Sequence, residues 1–157
     1  MTAKDASFTD GQEKPVNIAA RDPDDLQVIS AMVQDAVFPS VEMRWIAKAR
    51  QFAILVNRFR WELKASVATK PERVQSVLAI ENVLSVASQG IDRSDKETVY
   101  SVLSVTFEGD ADAGGYATVT LAGDGAIRLK VEALEVRLKD VTRPYNAPSG
   151  SIPRHAD

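Results

Sequence analysis

Three runs of alternating apolar and polar residues constrain the fold most strongly. They span residues 102–108, 116–122 and 127–132, and a period of two places the apolar side chains of each run on one face of a β-strand. The polar loop at residues 109–115 and the Gly-Asp-Gly turn at residues 123–125 are short enough to join neighbouring strands. The pattern predicts three consecutive antiparallel strands.

Two further signals place a helix and a hairpin ahead of these strands. After a short strand at residues 16–20, Asp22 and Pro23 are typical of a helix start, and the helix is predicted to run to about residue 36. Residues 41–57 predict a hairpin whose second strand has apolar side chains on both faces, as a central strand does. The predicted buried stripe of the helix consists of Leu26, Ile29, Val33 and Ala36.

Two segments are compatible with either a helix or strands. Residues 71–89 follow a capping-box pattern at residues 69–72, which favours a helix, but their many β-branched residues favour two short strands with a bulge or turn near Asn82. We predict the two strands. Residues 131–141 carry both a strand-like alternation and a helical stripe, and both alternatives stay open there. A second capping-box pattern at residues 94–97 predicts one helical turn.

These elements together predict a single α+β domain. An N-terminal amphipathic helix is expected to pack on a mainly antiparallel β-sheet, or on a partly open barrel, of about eight short strands. Residues 1–15 are polar and aperiodic, which predicts a flexible leader. Residues 16–142 are predicted to form the domain, and the proline-containing residues 143–157 an extended tail.

The residue types present exclude several classes of site. The chain contains no cysteine and one histidine, His155, so thiolate catalysis, Ser-His-Asp triads and two-histidine metal sites lack their residues. We expect neither a cofactor nor a metal. No run approaches the about 20 apolar residues of a membrane span, and the first residues lack the apolar region of a secretory signal. A cytoplasmic protein without membrane contact is therefore expected.

Positive charge is concentrated in one part of an acidic chain. Residues 42–73 hold eight basic and three acidic residues, whereas the whole chain has a formal charge of −3. Within this region, guanidinium groups that can pair with phosphates and carboxylates lie next to aromatic rings in the sequence. The candidate ligand or partner surface comprises Arg44, Trp45, Asn57, Arg58, Arg60, Trp61 and Glu62.

This surface predicts a non-catalytic binding or interaction module for a protein partner or a small anionic ligand, and a homo-oligomer is compatible with it. Single-stranded nucleic-acid binding is an alternative because it uses basic grooves and stacking rings, although a sequence pI of about 5.2 argues against nucleic acid. An enzyme using carboxylates and arginines without histidine or cysteine is a second alternative. In a purely structural interpretation, the tryptophans cap the core and Arg58 or Arg60 pairs with Glu62.

Four strings of residues carry a resemblance to a known family. They are DLQVISAMVQDAV, NRFRWE, GIDRSD and GAIRLKVEALEVRLKD, and together they resemble a family of small bacterial proteins catalogued as domain of unknown function 2948. The likeness extends over about residues 19–145. It implies a bacterial, cytoplasmic, single-domain protein, and it implies no activity, cofactor or catalytic residue.

Overall fold

One α-helix and eleven β-strands make up the regular structure of residues 14–63, 72–143 and 145–146, which are the residues that the computed structural model describes. Three single 3-10 turns, Ser40–Glu42, Ala47–Ala49 and Trp61–Leu63, connect some of these elements. The elements in chain order are β1 (Asn17–Ala20), α1 (Pro23–Met32), β2 (Val37–Pro39), β3 (Met43–Ile46), β4 (Gln51–Phe59), β5 (Glu72–Ile80), β6 (Val83–Gln89), β7 (Val99–Gly109), β8 (Gly115–Leu121), β9 (Ala126–Val131), β10 (Val136–Asp140) and β11 (Tyr145–Asn146).

The strands belong to one sheet, in the order β1-β10-β5-β4-β2-β7-β8-β9-β6. β3 pairs with the first part of β4, and β11 pairs with the start of β5. Every strand pairing within the described ranges is antiparallel. The fold is therefore mostly β with one helix, not an even α+β mixture. The sheet is not closed into a barrel, and β1 and β6 lie at its two ends.

Local turn chemistry explains why neighbouring strands pair where the sequence predicted. Gly123 and Asp124 both have positive φ values, 77° and 70°, and they form the tight turn between β8 and β9. Asn82, with φ of 59°, lies between β5 and β6. The prediction of two strands within residues 71–89 is thereby confirmed. For residues 131–141 the sequence was compatible with a strand or a helix, and the structure has the strand β10 there.

The helix begins as predicted but ends earlier. The side chain of Asp22 accepts a hydrogen bond from the backbone N–H of Asp25 at 2.8 Å, which caps the first turn. The helix lies at residues 23–32, after β1, so an N-terminal helix reaching about residue 36 is not confirmed. Asp35 has a left-handed φ of 64° and donates its N–H to the carbonyl of Val102 on β7. This contact draws the chain away from the helix axis and into β2.

A single hydrophobic cluster contains residues of the helix and of strands along the whole sheet, from β1 to β6. All four residues of the predicted helical stripe are buried, although two of them lie beyond the last helical residue. The capping-box pattern at residues 94–97 does not form a helical turn. Most of residues 1–15 and 143–157 lie outside the described ranges, so the predicted domain boundaries stay predictions. The cluster includes Leu26, Ile29, Phe38, Ile54, Leu78, Val105, Val119, Leu129 and Leu138.

Candidate functional site

The seven residues of the predicted surface lie in two places. Asn57 and Arg58 belong to the last part of β4, and Arg60 follows directly, before the 3-10 turn that contains Trp61 and Glu62. The other two residues, Arg44 and Trp45, lie on β3 beside the first part of β4. The two groups have different environments, and only one of them is exposed.

Arg58 is a core residue. Its side chain has 0% exposure, and it is the largest of the fully buried side chains among the described residues. Its terminal Nη2 donates to both carboxylate oxygens of Asp140 at 2.9 and 3.0 Å. Nη1 and Nη2 donate to the two oxygens of Glu62 at 2.9 Å each. The guanidinium thus holds two carboxylates at once, in the bidentate geometry that suits its planar shape.

All five N–H donors of this guanidinium have acceptors inside the protein. Nε donates to the hydroxyl of Ser76 at 3.0 Å, and Nη1 also donates to the carbonyl of Phe59 at 3.1 Å. Burial by itself lowers the pKa of a guanidinium, but the hydrogen bonds and charges of Glu62 and Asp140 raise the pKa of Arg58 above its ordinary value. Arg58 therefore stays charged and has no donor left for a ligand.

Strand phase explains why these polar groups meet. On β4, Arg58 continues the inward-facing series that includes Ile54 and Val56. Ser76 of β5 lies directly opposite Val56 on one side and Asp140 of β10 on the other. Its hydroxyl donates to Asp140 at 2.6 Å. Arg58, Ser76 and Asp140 therefore each occupy an inward position on their own strand, and Glu62 reaches the cluster from the turn that follows β4.

The neighbours of Arg58 are also engaged within the fold. Arg60 has a side-chain exposure of 4% and donates to Glu72 at 2.6 Å. The indole N–H of Trp61 donates to the carbonyl of Gln34 at 2.9 Å. The side-chain oxygen of Asn57 accepts from Arg73 at 2.9 Å. Arg58 and Arg60 therefore do not form an exposed basic patch, because their guanidinium groups are buried against carboxylates.

Arg44 and Trp45 point to opposite faces of β3. Trp45 lies opposite Phe52, which is buried, whereas Arg44 lies opposite Ala53 on the other face. A single patch containing both side chains does not form. Trp45 is 39% exposed and covers the edge of the core, while Ile46 beside it is 41% exposed. This end of the sheet presents aromatic and aliphatic surface to solvent.

A groove of about 170 Å³ opens beside Trp45. Its apolar part is formed by Val41, Met43, Trp45 and Phe52, and Ser40 belongs to its polar part. Two cations from the loop between β6 and β7 complete the lining, and no carboxylate belongs to it. Sequence reasoning missed these cations because the loop lies about forty residues after β3 in the chain. They are Arg93 and Lys96.

Hydrogen bonds within this loop order the segment that carries the two cations. The carboxylate of Asp92 accepts from the backbone N–H of Ser94 at 2.9 Å. Asp95 accepts from the backbone N–H of Glu97 at 3.0 Å and from the hydroxyl of Thr98. The hydroxyl of Ser40 donates to the carbonyl of Asp95 at 3.1 Å and ties the loop to the groove.

These bonds also affect two carboxyl groups of the loop. Hydrogen bonding from Ser94 lowers the pKa of Asp92, and hydrogen bonding from Thr98 lowers the pKa of Asp95. Both groups are exposed, so the shifts come from local donors and not from burial. The folded loop therefore favours the charged form of each carboxylate.

A second cavity, of about 470 Å³, lies on the outer face of β7, β8 and β9. Its lining includes Glu108 and Arg128. Arg128 stacks on the ring of Tyr116 at 3.9 Å from the ring centre. The cation is therefore already in contact with a ring, and a carboxylate lies in the same cavity. The groove beside Trp45 is the better site for an anion.

No group of three or more histidine, cysteine, aspartate or glutamate residues suitable for a metal is present within residues 14–63, 72–143 and 145–146. Over the same ranges, no helix has the length and apolar character to span a bilayer.

Comparison with family models shows to which protein family the chain belongs. A model described as a protein of unknown function, DUF2948, matches residues 16–155. The chain belongs to the DUF2948 family. The family match starts one residue before β1 and includes both the buried arginine cluster and the groove. No curated protein and no solved structure matches the chain. The description of the DUF2948 family assigns no activity, so a function has to be argued from the groove itself.

Proposed function

We propose that this protein is a non-catalytic binding domain for a small amphipathic anion, and that the groove beside Trp45 is the binding site. The observation that carries the proposal is the lining: an exposed indole, an apolar floor and two cations with no carboxylate among them. An apolar body would pack on Trp45 and Phe52, and an anionic head would meet Arg93 and Lys96.

The size of the groove limits the ligand. A volume of about 170 Å³ is below the roughly 300–1,000 Å³ of pockets that hold drug-sized molecules. A ring or short chain carrying a carboxylate, sulfonate or phosphate fits this space, and a nucleotide does not. With on the order of ten non-hydrogen atoms, such a ligand is expected to bind with a dissociation constant of about 1 mM or lower.

The alternatives of nucleic-acid binding and carboxylate-based catalysis have less support. The nucleic-acid hypothesis depended on Arg58 and Arg60, whose guanidinium groups are buried against Glu62, Glu72 and Asp140. The hydroxyl of Ser76 donates to Asp140 inside the same buried cluster, away from any described cavity.

An NMR titration tests the proposal. Benzenesulfonate and benzoate should shift the backbone amide signals of β3 and of the loop that holds Arg93 and Lys96, whereas benzyl alcohol should shift them much less. The double variant Arg93→Gln, Lys96→Gln should weaken sulfonate binding about tenfold or more, because hydrogen bonds to charged groups contribute about 1.5–3 kcal/mol.

Arg44→Gln with Lys48→Gln is the matched control, since it removes two cations of the β3–β4 hairpin beside the groove, and neither of them lines the groove. Its affinity for benzenesulfonate should stay close to that of the parent protein. Equal weakening by both double variants, or shifts spread over the whole surface, would show general charge attraction and contradict a defined site. Binding of an acidic peptide with no response to the small anions would instead indicate a protein partner.

A further inference from the structure

β6 lies at one end of the sheet and has one paired edge. Val83 to Gln89 pair with β9, and no strand pairs with the other edge of β6 within the described residues. Five of its seven residues are exposed, including Leu84, so no element of the described ranges covers their side chains. Only at its start does a backbone bond reach another element, from the N–H of Val83 to the carbonyl of Arg50.

Apart from one β-bulge at its start, this edge lacks the features that normally prevent strands of different molecules from pairing. Edge strands are usually short, or carry charges or proline. β1 and β3 have four residues each, Pro15 precedes β1, and β3 carries Arg44. β6 has seven residues, none of them charged and none a proline, in a chain with 26% charged residues. The β-bulge near Val83 and Ser85 disturbs only its beginning.

We infer that β6 pairs with β6 of a second copy of this chain, antiparallel and about a two-fold axis. Directly opposed residues of an antiparallel pair have their side chains on the same face of the sheet. In a two-fold pair of identical strands, the axis therefore passes beside one residue, which opposes its own copy. With the axis at Val86, Ser85 opposes Ala87 within the regular part of the strand that follows the bulge. With the axis at Ala87, Ser85 opposes Gln89. Every opposed pair is uncharged, so no like charges meet when β6 pairs with a second β6.

The charge of the strand favours a second copy over a foreign peptide. An acidic or basic peptide would find no opposite charge along β6, whereas a second copy brings an equally neutral strand. Two-fold pairing also occupies the free edges of both molecules and leaves no growing edge at β6. The contact is one strand pair with few large side chains, so the dimer is expected to be weak and concentration-dependent, with a dissociation constant in the roughly micromolar range.

Sedimentation equilibrium at several protein concentrations, with hydrogen exchange on the same samples, tests this inference. The parent protein should pass from monomer to dimer as its concentration rises, and the backbone amides of β6 should become slower to exchange in the same range. The double variant Ser85→Glu, Ala87→Glu should remain monomeric. In the monomer its new carboxylates lie opposite Lys130 and Arg128, which supports folding. In a dimer they lie beside the axis and repel.

Thr106→Glu with Thr120→Glu is the matched control. It adds the same charge to the same outer face, on the interior strands β7 and β8. This control should dimerise like the parent protein. A parent protein that stays monomeric at every concentration with unchanged exchange in β6 would overturn the inference, and so would a dimer that survives Ser85→Glu, Ala87→Glu.

Discussion

At the scale of single residues, the guanidinium of Arg58 joins three strands. It contacts Asp140 of β10, Ser76 of β5 and the carbonyl of Phe59 on its own strand, and Glu62 closes the cluster from the following turn. Asp140 also accepts from the backbone N–H of Val16 at 2.8 Å, which fixes the chain just before β1. The cluster therefore links β4, β5 and β10 to one another and to the residue that precedes β1.

Removing one member of this cluster should be costly. Arg58→Met leaves the carboxylate of Asp140 buried without its cation, and breaking a buried ion pair in this way typically costs about 3–5 kcal/mol. We expect a loss of that size in the free energy of unfolding, measured by urea denaturation. Arg137→Met is the control, since Arg137 pairs with Glu135 at the surface of β10 and its loss should cost about 1 kcal/mol or less.

A second variant separates the cost of leaving a charge buried and unpaired from the cost of the lost side-chain packing. Arg58→Met combined with Asp140→Asn removes both charges, so its loss should be smaller than the sum of the two single losses. If Arg58→Met were as mild as Arg137→Met, the cluster would not be a structural centre, and Arg58 would again be a candidate for ligand binding.

The role of Arg58 was only partly predictable from the sequence. Its inward phase on β4 could be read from Phe52, Ile54 and Val56, and pairing with Glu62 was one of the interpretations considered. Its other carboxylate, Asp140, lies 82 residues further along the chain. Pairing of β10 with β5, which brings Asp140 inward, is a property of the whole sheet and is not encoded in any local pattern near Arg58.

At the scale of elements, short-range signals predicted structure well where a turn decides the pairing. The hairpin of β8 and β9 depends on Gly123 and Asp124, whose backbone conformation suits a two-residue turn. The end of α1 was not predicted, because the contact of Asp35 with Val102 that redirects the chain comes from β7. The groove was missed for the same reason, since Trp45 and Arg93 meet only after the sheet has formed.

The loop that positions Arg93 and Lys96 should respond to acid. Because its hydrogen bonds lower the pKa values of Asp92 and Asp95 in the folded state, their contribution to loop stability is present above the ordinary carboxyl pKa of about 4. That contribution is lost as the pH falls through the lowered values. The backbone amide signal of Thr98, whose N–H donates to Asp95 at 3.2 Å, should report the titration by NMR.

The expected midpoint for Thr98 lies below that of an ordinary aspartate. In Thr98→Val, which removes the hydroxyl donor to Asp95, the midpoint of the same amide should rise towards the ordinary value. A Thr98 amide that titrates at the ordinary carboxyl pKa in the parent protein would show that the loop is not held as described, and it would weaken the case for a preformed groove.

At the scale of the whole molecule, three features lie in separate parts of the open antiparallel sheet that the described residues form. The end of β4 is closed off by buried ion pairs, the start of the β3–β4 hairpin presents the groove, and β6 presents an unpaired edge. The mainly antiparallel sheet was predictable from alternation, whereas which of its arginines would be exposed was not. The proposed binding site therefore includes Trp45, which the sequence favoured, and lies at the opposite end of β4 from the other favoured residues at positions 57–62.

The most direct test of the proposed site is the fluorescence of Trp45 in the Trp61→Phe protein, where Trp45 is the one remaining tryptophan. Titration with benzenesulfonate should change the emission of Trp45 along a saturating curve, and the added double variant Arg93→Gln, Lys96→Gln should raise the dissociation constant about tenfold or more. An emission that does not saturate, or a dissociation constant that is indifferent to the loss of both cations, would contradict the proposal that this groove binds an anion.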